Sequence, residues 1–143
     1  MLELTALLKA GLTGEVKKTV DLDDTFGSSS PYLNQFLSTS ACAALAVSAS
    51  MAVTEGILPE GYLSVGRRLD LEHDAPAMTG TTVIVSATLR EVNGNRLVFD
   101  IVGSDALGVI FKGVNERVVV NRLGMEERAS ARARQLKELR EKL

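Results

Sequence analysis

The sequence predicts an α+β fold: an antiparallel curled sheet wrapped around a long central helix, followed by a charged C-terminal helix. Three observations predict it. The stretch from Ala41 to about Glu55 has helical length and carries small residues on nearly every face, as a helix approached closely from all sides does. The stretch from Gly61 to Asn121 alternates with the period of two and is broken at turn residues. After Gly124 the composition changes abruptly to charged, helix-favouring residues. At 143 residues the length is that of one domain. Its core is expected over about residues 8–121, with the charged helix at about 124–143.

The elements follow in order. Gly14 to Asp21 alternates loosely and reads as a first strand. Gly27-Ser28-Ser29-Ser30-Pro31 is loop punctuation. Ser38-Thr39-Ser40 offers N-caps for the central helix, and Gly56 with Pro59 beyond it ends that helix. In the next strand Leu63, Val65, Arg67, Leu69, Leu71 and His73 share a face by period. Pro76 and Gly80 interrupt it. Val83, Val85, Ala87 and Leu89 face one way in the third strand, which ends at the hairpin signal Asn93-Gly94. Leu97, Phe99 and Ile101 mark the fourth strand, and Asp105 to Gly108 turns the chain again. The fifth strand puts Val109, Phe111, Gly113, Asn115, Arg117 and Val119 on one face, with Val114, Val118 and Val120 on the other. In the last helix Met125, Leu136 and Leu139 are the few residues able to dock it on the domain. A small curled sheet leaves edges and one helix flank uncovered, so a homodimer or higher homo-oligomer is expected.

Composition excludes several classes. A net charge of -2 gives no basic field for nucleic acid, and 4% aromatics without tryptophan give no base-stacking platform. The 45% apolar and 24% charged shares are those of a globular chain. One cysteine, Cys42, rules out an intrachain disulfide and a cysteine-rich zinc cluster, and one histidine, His73, leaves no multi-histidine metal site, so no metal is expected. Glu3 interrupts the apolar N-terminal stretch, no basic region precedes it, and the run from Ser38 to Val53 is too short to span a bilayer. A cytoplasmic protein without membrane partners is the expectation.

Several stretches carry a resemblance when read together. They are Leu8 to Gly14, Phe36-Leu37-Ser38-Thr39, Ser64-Val65-Gly66, Leu71-Glu72-His73-Asp74-Ala75-Pro76 with Gly80, and Asn115-Glu116-Arg117-Val118-Val119-Val120. In order and spacing, from about Leu8 to Asn121, the chain resembles the hotdog-fold thioesterase family typified by fluoroacetyl-coenzyme A thioesterase. The resemblance implies hydrolysis of small acyl-coenzyme A thioesters, with coenzyme A as part of the substrate and no separate cofactor. It also implies catalytic roles for Thr39 and His73 and substrate-binding roles for Gly66 and Arg117. Where the family has a catalytic glutamate this chain has Val47, and where it commonly has histidine this chain has Asn115. The loss at position 47 implies weak hydrolysis or, as the alternative, a non-catalytic acyl-CoA or small-ligand binding dimer.

The residue types suit the chemistry, and each also has a purely structural reading. Imidazole titrates near neutral pH and can take a proton, or it can simply pack and hydrogen-bond beside Leu69 and Leu71. Thr39 offers a hydroxyl or a helix cap. Gly66 permits close approach to the backbone or marks a strand bulge. Arg117 can hold a coenzyme A phosphate or a carboxylate, or form an interface ion pair. Cys42 among alanines reads as an inert buried thiol. Ser48 and Ser50 read as hydroxyls bonding their own helix. Asp70, Glu72 and Asp74 read as surface charge. Thr39 and Val47 stand eight residues apart, roughly 12 Å along a helix. A site using both holds substrate between them or draws on two subunits. Phe26, Phe36 and Leu37 are candidates for an acyl pocket by their place before the helix.

Overall fold

The computed structural model describes residues 2–26 and 30–143, so most of the loop signal at 27–31 lies outside the described residues. A short helix α1 (Leu4–Leu7) precedes strand β1 (Thr13–Thr19). The central helix α2 (Thr39–Thr54) is followed by β2 (Tyr62–His73), β3 (Thr82–Asn93), β4 (Arg96–Asp105) and β5 (Gly108–Asn121). Helix α3 (Arg122–Lys142) ends the chain. The five strands form one antiparallel curled sheet in the order β1-β3-β4-β5-β2, so β1 and β2 are its edges.

The alanines of α2 let the sheet come close. A Cβ at Gly14 would stand 2.7 Å from the Val53 nitrogen and 2.8 Å from the Ala49 oxygen, so β1 lies directly on the helix backbone. Cys42, Ala46, Ala49 and Val53 are buried against the inward side chains of the sheet, among them Val83, Val85, Leu97, Phe99 and Ile101. Burying each of the larger of these contributes about 1.5–3 kcal/mol. Gly56, with φ of 78°, follows the helix where an L side chain would be strained.

Three bulges shift the alternation. Between Gly66 and Arg68 the β2–β5 register slips, because Gly66 pairs with Arg117 and Arg68 with Glu116. Arg67 is the extra residue. The inner face of β2 therefore carries Ser64 and Gly66 before the bulge and Leu69, Leu71 and His73 after it. Leu63, Val65 and Arg67 do not share His73's face as the period predicts. A second bulge at Ile110, between the pairs Gly103–Phe111 and Ser104–Val109, turns Val109 out to half exposure. The third, at Arg90, closes the inward run Val83, Val85, Ala87, Leu89. The hairpin signal at 93–94 is displaced by one: Asn93 pairs with Arg96, and Gly94 (φ 62°) with Asn95 makes the turn. Glycine occupies the first central position, as a type II′ turn requires.

The last helix starts two residues earlier than composition predicts. Asn121 caps it, its Oδ1 accepting from the Gly124 N–H at 3.0 Å. None of its described residues is buried, and Leu136 and Leu139 are 54% and 61% exposed, so they do not dock the helix on the sheet. Its apolar side chains are too sparse to make a core-facing stripe. No described helix is long and apolar enough to cross a membrane.

Candidate active site

The entrance to α2 decides what Thr39 is free to do. Ser38, the first of the three hydroxyl residues, takes the cap: its Oγ accepts from the Ala41 N–H at 3.0 Å. Thr39 is thus the first helical residue and not the cap. Its Oγ1 lies 2.9 Å from Nδ1 of His73, which arrives at the end of β2. This pair is built from elements far apart in sequence, and the Arg67 bulge is what brings His73 to the inner face.

The imidazole is held on its other sides. It meets the Phe111 ring edge-on at a centroid distance of 6.4 Å and an interplanar angle of 79°. Phe111 is itself seated over Gly103, where any Cβ would collide with the ring. Cys42, one helical turn beyond Thr39, places Sγ 3.9 Å from both imidazole nitrogens. Burial pushes the Cys42 thiol up to about 11, so it stays protonated near neutral pH and is no nucleophile. Beside His73 opens an apolar pocket of about 360 Å³, with walls that include Phe26, Leu33, Phe36, Leu37 and Pro76. Phe26, Phe36 and Leu37 are thus placed as their position before the helix predicts. Leu33 and Pro76 were not foreseen, because nothing local marks a loop residue as a pocket wall.

Gly66 and Arg117 form a second cluster. They pair across β2 and β5, and a Cβ on Gly66 would lie 3.5 Å from Nη1 of Arg117. Arg117 is 2% exposed. Its Nε donates to Ser64 Oγ at 3.0 Å, Nη2 to the Ser64 carbonyl at 3.0 Å and Nη1 to Asn115 Oδ1 at 3.4 Å. Asn115 in turn donates from Nδ2 to the Arg68 carbonyl at 3.0 Å. Among the described residues no carboxylate pairs with Arg117, so the ion-pair reading does not hold within the chain. Its neighbour Glu116 pairs instead with Arg67 at 2.6 Å on the outer face. Burial without a counter-charge pushes the guanidinium's pKa down. Ser64 is the residue that sequence reading missed here, and its position two before Gly66 was the available signal.

The two clusters do not meet within one chain. His73 and Gly66 lie seven residues apart on one strand, roughly 20 Å at about 3.3 Å per residue. Val47 is half-buried on α2, about 12 Å along the helix from Thr39. Ser50 is buried and bonds back to the Ala46 carbonyl at 3.1 Å, as a helix hydroxyl does. Asp70, Glu72 and Asp74 are exposed. Among the described residues no group of three His, Cys, Asp or Glu side chains could hold a metal ion.

Residues 20–123 match the fluoroacetyl-CoA-specific thioesterase family. A hot-dog-like protein from Thermanaerovibrio acidaminovorans is 32% identical, over 92% of this chain and 97% of its own, with a TM-score of 0.87. A thioesterase superfamily member from Thermus thermophilus has the same fold at 24% identity and a TM-score of 0.78, over 94% of this chain and 97% of its own. The fluoroacetyl-CoA thioesterase FlK aligns at 26% identity and a TM-score of 0.75, over 90% of this chain and 96% of its own. No curated protein matches significantly in sequence. The fold is the hotdog fold.

Proposed function

We propose that this chain, which belongs to the fluoroacetyl-CoA-specific thioesterase family, hydrolyses acyl-coenzyme A thioesters with Thr39 and His73 as its catalytic pair. The observation that carries the proposal is the 2.9 Å contact between Thr39 Oγ1 and His73 Nδ1, with His73 lining an apolar pocket. A hydroxyl in hydrogen-bond reach of a base held by packing is the arrangement of an activated nucleophile. His73 takes the Thr39 proton as Oγ1 attacks the thioester carbon. The oxyanion forms against the N–H groups that open at the start of α2, where the helix dipole is positive. The carbon–sulfur bond breaks, His73 returns the proton to the leaving sulfur, and coenzyme A departs as the thiol. Water, deprotonated by the same imidazole, then attacks the threonine ester; His73 returns that proton to Thr39 Oγ1 as the C–O bond breaks, and the carboxylic acid is released.

Gly66 and Arg117 serve the same reaction from a partner subunit. In this reading a two-fold dimer sets one protomer's Arg117 end beside the other's His73 end, and the guanidinium receives an anionic part of the ligand. Coenzyme A is part of the substrate, and no further cofactor enters. The reaction belongs in the cytoplasm, where coenzyme A thioesters are made and used. With Val47 at the family's glutamate position turnover is slow, because a valine can neither orient water nor accept a proton.

The test is thiol release from a panel of acyl-coenzyme A substrates, with mass spectrometry of acid-quenched enzyme. Slow turnover and an acyl adduct on Thr39 are expected, with a loss of at least about 100-fold in Thr39→Ala and His73→Ala. Binding of the thioester without turnover or adduct would turn the assignment to a binding module.

A further inference from the structure

Resting on the thioesterase reading, we infer that the acyl group is an uncharged apolar tail of about six to eight carbons, more than a two-carbon unit can fill. The pocket beside His73 has a volume of about 360 Å³, in the range of ligand sites. At about 30 Å³ per water-sized group it has room for roughly a dozen such groups. An acetyl group carries three heavy atoms and would leave most of the apolar wall wet.

The chemistry of the wall selects the tail. Among the described residues that line the pocket only His73 and Asp74 have polar side chains, and His73 is engaged by Thr39. The Asp74 carboxylate repels a tail that ends in a second carboxylate. Phe26, Leu33, Phe36 and Leu37 offer the apolar surface that a methylene chain or a phenyl ring covers.

The pocket is also built in advance. The segment that carries Phe36 and Leu37 is tied to the segment after His73 by the Leu37 N–H on the Ala77 carbonyl at 2.8 Å and the Thr79 N–H on the Gln35 carbonyl at 2.8 Å. Phe36 and Met78 form a bridge between the same two segments. A pocket fixed by backbone does not have to order itself around the ligand, so tail burial converts into binding. Because His73 lines the pocket, a tail lying in it can set its carbonyl at the Thr39–His73 pair.

The experiment compares kcat/KM for acetyl-, butyryl-, hexanoyl-, octanoyl-, phenylacetyl- and succinyl-coenzyme A. Full burial of a methylene gives roughly fourfold, and an open groove about half of that free energy, so a rise of about twofold per methylene is expected. Hexanoyl then exceeds acetyl more than tenfold, and succinyl lies at or below acetyl. Leu33→Trp, which fills the pocket from its exposed rim, flattens the series. A flat series, or acetyl as the best substrate, overturns the inference while leaving hydrolysis intact. Calorimetry with the uncleavable thioethers S-ethyl- and S-hexyl-coenzyme A separates the two readings. Tighter S-hexyl binding without hydrolysis of any thioester sinks the enzyme reading and keeps the apolar-tail inference. Equal binding of the two thioethers, or none of either, overturns it.

Discussion

At the His73 end of the inner sheet face, a polar pair meets an open apolar pocket; at the Arg117 end, a buried cation lies beside an exposed glycine. Both ends are built on the same two strands, β2 and β5, and a single bulge at Arg67 lies between them. The open end can take an uncharged group and move a proton. The Arg117 end offers no base, and among the described residues its charge has neutral partners, Ser64 and Asn115. Keeping a guanidinium dry without a carboxylate costs stability. The residues that the motifs present as one set are therefore divided between two ends of one face.

The sharpest way to break this comparison is to separate the halves genetically. His73→Ala and Arg117→Met chains, each nearly inactive alone, should regain about a quarter of wild-type activity when co-expressed and mixed at random. Half of the dimers are then mixed, and each of those carries one intact site of two. Activity no higher than the inactive parents, with mixed dimers present by mass, would show that the halves do not work across subunits.

The second prediction concerns the cost of the buried charge. Arg117→Met should weaken coenzyme A binding at least about tenfold, the loss of one charge-assisted contact. Its melting temperature should change little, because removing the desolvation penalty is offset by leaving Ser64 and Asn115 without their donor. A clear fall in melting temperature together with unchanged binding would make Arg117 structural.

A smaller effect is expected from restoring the carboxylate. Val47→Glu should raise the hydrolysis rate a few-fold, with Thr39 and His73 still required. The gain is limited because burial raises a carboxyl pKa and the groups that would orient it are absent. Lower stability without a rate gain would make Val47 core packing.

The least effect is expected at Cys42, against which His73 rests. With the folded thiol at about 11 against an ordinary value of 9.0, alkylation of the native protein at pH 8 should be slow and should become rapid on unfolding. Burial favours the protonated thiol, so its contribution to stability is fully present below pH 9 and is lost as pH rises toward 11. A stability curve flat across that window in the parent, or identical in Cys42→Ala, would contradict the burial argument.

How much of this was legible depends on the distance over which each feature is decided. The central helix was legible because small residues without a polar face are a local pattern, and the strands because alternation is. The inward run of β3 and the polar residues Asn115 and Arg117 on the inner face of β5 follow the period directly. The face of β2 did not: a strand bulge is one reading of Gly66, and the register does slip after it, but that Arg67 is the extra residue is decided only by two strands in register. The run Ser38-Thr39-Ser40 announced a cap without saying which residue takes it. Of the three anchors expected in α3 only Met125 is half-buried, and Leu136 and Leu139 stay exposed because such sparse apolar residues form no face.

The sequence by itself therefore determined the α+β plan, the central helix and the kind of chemistry available, because propensity, period and side-chain type are written residue by residue. Tertiary structure alone decided that Ser38 caps while Thr39 meets His73, that Arg117 is buried beside Ser64, and that these two clusters stand at opposite ends of one face. The physical reason is that each outcome depends on strand register and on which backbone group finds a partner, and those are settled only when distant segments close on one another.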